Sequence, residues 1–158
     1  MANSEQTFLD EVRRDFLAEV PLGYWRKMHG GPFQAGMPDV LVAAPRAAAL
    51  VEFKWTTRLD AKIGDILAGA LTERQKLELL SLARAEAPLL ARVLLGAVDP
   101  ESGVCIAVGL EAAARPHQTM RELFDSRFLV SLGAGAEYSF RLRGERWHAL
   151  DLLFGERE

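Results

Sequence analysis

The chain has 158 residues, 49% of them apolar and 26% charged, with a formal net charge of −3 and one cysteine. That is the make-up of an ordinary globular protein, long enough to bury a real core as one domain. The lone Cys105 excludes a disulfide frame and a thiolate zinc site and fits a reducing compartment. No stretch has the length or apolarity of a membrane span, and the N-terminus lacks a signal peptide's basic-then-apolar order. The slightly negative charge argues against a broad basic nucleic-acid face but leaves room for a local one.

Residues 4–19 predict the first helix. Ser4 is a good N-cap. Phe8, Val12, Phe16 and Val20 recur every four residues, with Leu9 and Leu17 beside them, and Pro21 and Gly23 end the run. The charged residues Glu5, Asp10, Glu11, Arg13, Arg14, Asp15 and Glu19 read as a mostly solvated face. Residues 22–29 predict the first strand, with Lys27 and His29 on one side of it. Gly30, Gly31, Pro32 and Gly36 form a flexible approach to Asp39.

Residues 36–42 and 50–55 each read as a short buried strand, rich in valine and leucine. Residues 43–47, with Pro45 among them, form the connection, so a hairpin is expected. Three charges interrupt the apolar runs: Asp39, Glu52 and Lys54. Side chains two apart share a face, so Glu52 and Lys54 stand together while Val51 and Phe53 point the other way. With the strands paired, two carboxylates and one ammonium converge between hydrophobic walls. Such a patch is costly unless the charges have partners. A divalent cation between the carboxylates relieves their repulsion; Mg²⁺ takes oxygen ligands and commonly only one or two carboxylates. A neighbouring lysine can orient or deprotonate a water and touch a phosphate. These are parts for metal-assisted phosphodiester hydrolysis. The competing reading is a structural ion pair among the same three residues.

Residues 56–71 read as a loop with a helical turn that closes over this patch, carrying Arg58 and Lys62. Thr72 is a strong N-cap with Gln75 at its third position, the spacing of a capping box. A helix over 73–87 comes next and stops before Pro88. Residues 92–98 and 103–110 predict two core strands with no charge in their apolar middles. A helix is expected over 117–129, broken by Gly133 and Gly135. Residues 138–143 and 147–154 alternate in places and predict a closing hairpin over Gly144. His117 and His148 have no partners at metal-ligand spacing.

Pro38-Asp39 followed by Glu52-Phe53-Lys54 resembles the PD-(D/E)XK nuclease signature: an acid at the start of one strand, then acid-X-Lys on the next. The flanks Ser4-Glu5, Trp25-Arg26-Lys27-Met28-His29-Gly30, Phe33-Gln34-Ala35-Gly36 and Leu71-Thr72-Glu73-Arg74-Gln75 resemble its small phage and bacterial VRR-NUC-like and Holliday-junction-resolvase-like branch. The likeness covers roughly residues 4–80. It implies an α/β, restriction-endonuclease-like mixed sheet of four to five strands flanked by helices, on the pattern α-β-β-β-α-β. On that pattern residues 1–158 form a single nuclease-like domain, with a core over about 4–110 and additions over 111–158.

The resemblance also implies a function: a divalent-metal-dependent endonuclease hydrolysing DNA phosphodiester bonds, with structure-selective action on branched or junction DNA as a narrower form. Asp39, Glu52 and the carbonyl of Phe53 would hold Mg²⁺ or Mn²⁺. Lys54 would position or deprotonate the attacking water, and Gln75 would orient that shell, beside its bland role in a capping box. Glu5 would complete the site as a helix-borne acid or else serve only the helix dipole; Glu11 is the fallback for that acid. Lys27 would steady a phosphate, and Arg26, Arg58, Lys62 and Arg74 would supply a modest basic rim for DNA. A homodimer and a cytoplasmic setting in a bacterial or phage-infected cell follow by analogy. The alternative is a non-cleaving nucleic-acid-binding or protein-interaction module on the same fold.

Overall fold

The computed structural model describes residues 4–28, 38–85, 89–126, 137–142 and 144–155. Its elements in chain order are α1 (Glu5–Glu19), β1 (Tyr24–Lys27), β2 (Val40–Ala44), β3 (Ala47–Trp55), α2 (Ile63–Ala70), α3 (Glu73–Arg84), β4 (Leu89–Val98), β5 (Cys105–Glu111), α4 (Met120–Ser126), β6 (Glu137–Arg141) and α5 (Ala149–Phe154). The strands form one sheet in the order β1-β2-β3-β4-β5-β6. All neighbours are antiparallel except β3 and β4, which run parallel. A parallel step needs a crossover, and α2 and α3 supply it. The chain thus runs α-β-β-β-α-α-β, the expected order with one helix more in the crossover, and β1 to β5 make the five-stranded mixed sheet. β6, from the C-terminal addition, extends it to six.

The β2–β3 hairpin is tighter than its sequence suggests. Ala44 pairs with Ala47, so the turn is only Pro45-Arg46. At its other end β2 starts at Val40, opposite Val51.

Each sheet face has its own core. On one, Phe8, Val12 and Phe16 of α1 and Leu152 and Leu153 of α5 pack on Val51, Phe53, Leu94 and Ala107. On the other, Ile63 and Leu67 of α2, Leu79 of α3 and Met120 and Leu123 of α4 pack on Val93, Leu95, Ile106 and Val108. The alternation within β3 therefore sends Phe53 to the α1 side and Glu52 to the α3 side. No helix among the described residues is long and apolar enough to cross a membrane.

Three expectations change. Residues 63–70 are a full helix rather than a helical turn in a loop. Residues 149–154 are helix, not the second strand of a hairpin: Ala149, Leu152 and Leu153 are buried at helical spacing, and Gly155 closes the helix with φ +77°. Glu11 and Asp15 do not belong to a solvated face; they are 7% and 1% exposed. The chain's C-terminal part covers that side of α1 and gives both acids partners, Arg141 and Trp147. His29, the glycine approach over 30–36 and the expected helix over 127–129 lie outside the described residues.

Candidate active site

The gap left where β2 begins late is the start of the site. A residue on an extended strand sends its N–H and C=O to the same side. Phe53, two residues past Val51, therefore offers both toward the place that β2 does not fill. Asp39 fills part of it: its Oδ2 accepts the Phe53 N–H at 2.8 Å. Its own carbonyl accepts the N–H of Met28 at 2.8 Å, just past β1. A carboxylate is thus fixed between two strands beside the Phe53 carbonyl.

Glu52 lies on the neighbouring position of β3 and is only 2% exposed. Its Oε1 accepts from Gln75 Nε2 at 3.0 Å and pairs with Lys54 Nζ at 3.4 Å. Its Oε2 is buried with no hydrogen-bond partner. Burial, and then the charge of Asp39, push the Glu52 carboxyl up to about 8, against the opposing pull of Lys54. Asp39 therefore lies close enough to disfavour the charge on Glu52, and one lysine does not compensate.

Gln75 reaches Glu52 from the first turn of α3. Its Oε1 accepts the Thr72 N–H at 2.9 Å, and its own N–H donates to Thr72 Oγ1 at 3.1 Å. The capping box and the contact to Glu52 coexist, because they use opposite ends of one amide.

A hard cation fits this donor set. Glu52 Oε2 is a buried oxygen in need of a partner. Asp39 adds a second carboxylate, and the Phe53 carbonyl faces the same gap. No group of three or more His, Cys, Asp or Glu side chains suited to a metal occurs among the described residues. Two carboxylates and a backbone oxygen are an all-oxygen donor set, of the kind a hard divalent cation completes with water.

The remaining expected residues sit farther out. Glu5 is exposed in the first turn of α1 and makes no hydrogen bond or ion pair with Asp39, Glu52 or Lys54 among the described residues. The start of α1 does approach β1: Lys27 Nζ donates to Gln6 Oε1 at 3.1 Å. Glu11, the fallback acid, is committed elsewhere, accepting from Arg141 Nη2 at 2.6 Å and Trp147 Nε1 at 3.2 Å. Arg26, Arg58, Lys62 and Arg74 are exposed, on β1, in the 56–62 loop, at the start of α2 and next to Gln75 respectively. They form no ion pair among the described residues. What the sequence did not disclose is the division of labour between the two oxygens of Glu52, since no residue pattern encodes it.

No protein-family model matches the chain, and no curated protein matches it. Among solved structures, the chain is similar to Hjc, a Holliday junction resolvase from the archaeal hyperthermophile Archaeoglobus fulgidus. The likeness has a TM-score of 0.44 and 18% sequence identity, and covers 70% of this chain and 81% of that one.

Proposed function

We propose that this chain is a divalent-metal-dependent endonuclease that hydrolyses DNA phosphodiester bonds, and that branched or junction DNA is its preferred substrate. The observation that carries the reading is the buried, partnerless Glu52 Oε2 beside Asp39, with Lys54 on the same strand face. A buried carboxylate left short of positive charge is expensive as a structural feature and useful as half of a cation site. The motif resemblance supplies the substrate class.

Asp39, Glu52 through Oε2, and the Phe53 carbonyl would hold Mg²⁺ or Mn²⁺. Bound there, the ion supplies a Lewis acid for the scissile phosphate and neutralises the paired carboxylates. The chain's own groups do the rest. Asp39 is held in place by the Phe53 N–H. Gln75 holds Glu52 by Oε1. Lys54 Nζ orients the attacking water and donates toward the charge that builds on the phosphate oxygens. Glu5 completes the site from the start of α1, which the Lys27–Gln6 contact joins to the end of β1. Lys27, Arg26, Arg58, Lys62 and Arg74 bind backbone phosphates. Paired symmetric cuts need two sites, so the working form on this reading is a homodimer, acting in the cytoplasm.

Labelled four-way junction, duplex and single-stranded DNAs incubated with Mg²⁺ or Mn²⁺ test it. The expected result is metal-dependent cleavage, strongest on the junction and absent in excess chelator. Full activity in chelator removes the metal from the account. Binding without cleavage by the unaltered chain favours the non-cleaving module.

A further inference from the structure

Glu52 has two chemically equal oxygens, and its strand position does not say which one faces the gap beside Asp39. The side-chain donors do. Gln75 Nε2 and Lys54 Nζ both go to Oε1, at 3.0 and 3.4 Å, and Oε2 is left buried without a partner. Gln75 could not make this choice alone. A primary amide rotated by half a turn exchanges its oxygen for its nitrogen, and would then set oxygen against oxygen at Glu52. The Thr72 N–H forbids that turn: it donates to Gln75 Oε1 at 2.9 Å, and only the oxygen end of the amide can receive it. Thr72 Oγ1 closes the box by accepting the Gln75 N–H at 3.1 Å.

We propose that Thr72 is a positioning residue: by locking the Gln75 amide one way round, it assigns Glu52 Oε1 to the protein and Oε2 to the cation. The proposal rests on the nuclease reading above. An ordinary capping box satisfies backbone donors at the helix end and stops there. This one also donates, from Gln75 Nε2, to a buried carboxylate on another element. Thr72 itself is exposed, so its value to the core is small.

Three variants of the full chain separate the roles. Thr72→Ser keeps both the N–H and the hydroxyl. Thr72→Ala removes the hydroxyl together with the methyl and keeps the N–H. Thr72→Pro removes the N–H as well, and the backbone accepts it, with φ −69° at Thr72 and an extended Leu71 before it. Mn²⁺ affinity is measured by calorimetry without DNA. Thr72→Pro should weaken it about tenfold, the effect usual for partners that orient metal ligands, and Thr72→Ser should leave it within about twofold. In a Gln75→Ala background, Thr72→Pro should add no further loss, because the two act in series. A role in helix stability alone would instead lower the melting temperature and leave Mn²⁺ affinity unchanged, which would overturn the proposal. So would an equal loss with and without Gln75.

The side-chain amide of Gln75, followed by NMR in the metal-free protein, gives a second readout. Its resonances should move in Thr72→Pro and not in Thr72→Ser; unmoved resonances overturn the locking by themselves, whatever the metal does. An unaltered chain that takes up no Mn²⁺ while those resonances do move sinks the nuclease reading, and this inference with it.

Discussion

Two groups of acids among the described residues, one buried throughout and one half-buried at Asp39, are built in opposite ways. Glu11 and Asp15, one turn apart on α1, are met by dedicated partners. Arg141 Nη2 and Trp147 Nε1 donate to Glu11, and the Trp147 N–H donates to Asp15 at 2.8 Å. The guanidinium of Arg141 lies 5.0 Å from the centre of the Trp147 ring and also donates to the Glu145 carbonyl. Neither acid has a buried oxygen without a partner. Asp39 instead opposes the charge of Glu52, Lys54 pairs with Glu52 alone among the described residues, and Glu52 Oε2 is left unmet. The first group has one buried orphan of its own, Arg141 Nε, but it is a donor. Glu52 Oε2 is the one carboxylate oxygen buried without a partner among the described residues.

The largest difference should appear in catalysis. Asp39→Ala and Glu52→Ala are expected to abolish DNA cleavage. Lys54→Ala should lower its rate by on the order of 10²–10⁴-fold, the span typical of removing a proton-handling or water-orienting group. Circular dichroism spectra should stay as in the unaltered chain. Glu11→Gln should leave the rate constant of the folded fraction unchanged. Cleavage that survives at Asp39→Ala while failing at Glu11→Gln would exchange the roles assigned to the two groups.

Stability should show the reverse pattern. Arg141→Ala strands Glu11 in a buried position without its cation, and breaking a buried pair from one side costs about 3–5 kcal/mol. Denaturant unfolding in chelator measures it. The loss should be the same with Mn²⁺ present, since nothing in this group awaits an ion.

The grouping of Asp39, Glu52 and Lys54 was more legible than that of Glu11 and Asp15, and the reason is range. Glu52 and Lys54 declare a common face through the period of two, and Asp39 declares itself by preceding a run of valine and leucine. Thr72 and Gln75 declare a capping box by spacing. All of these are local patterns. Glu11 and Asp15 read as solvent-facing because a charged residue on an amphipathic helix usually is; the partner that buries Glu11, Arg141, is 130 residues away. Helix α5 was hidden for another reason. A short apolar run such as 147–154 fits either period, and only packing of Ala149, Leu152 and Leu153 against the sheet decides it. Pro45-Arg46 as a two-residue turn was likewise settled by pairing of Ala44 with Ala47, not by composition.

The effect of pH sharpens the contrast at smaller amplitude. The folded-state pKa of Glu52 is raised from 4.5 to about 8. Between those values the native state keeps a proton that the unfolded chain has released. Stability from this group is therefore fully present below about pH 4.5 and is lost as pH rises through 8. The expected decline in chelator is on the order of a few kcal/mol at most. Glu52→Gln, which carries no proton to lose, should flatten it and melt higher than the unaltered chain at pH 8.5. It should also erase any rise in melting temperature on adding Mn²⁺. In the rival reading, where Asp39, Glu52 and Lys54 form a structural ion pair, Glu52→Gln is strongly destabilising and Mn²⁺ changes nothing.

The smallest effects belong to the exposed bases. Arg58 is exposed in the loop after β3 and Arg74 is exposed next to Gln75 on α3, whereas Arg146 stands exposed beside the Glu11 group. Removing a base that binds one phosphate should lower the slope of log affinity against log salt by about one unit. Arg58→Ala and Arg74→Ala are expected to do so for junction DNA held with Ca²⁺ in place of Mg²⁺, with little change in which DNA is preferred. Arg146→Ala should leave the slope alone. A chain of net charge −3 has few bases to spare, so a slope that falls at Arg146 and not at Arg74 would place the DNA on the other side of α1, away from Lys54. The nucleic acid would then lie over Glu11 and Asp15, which already take Arg141 and Trp147 as partners, and the assignment of Asp39, Glu52 and Lys54 to cleavage would fail.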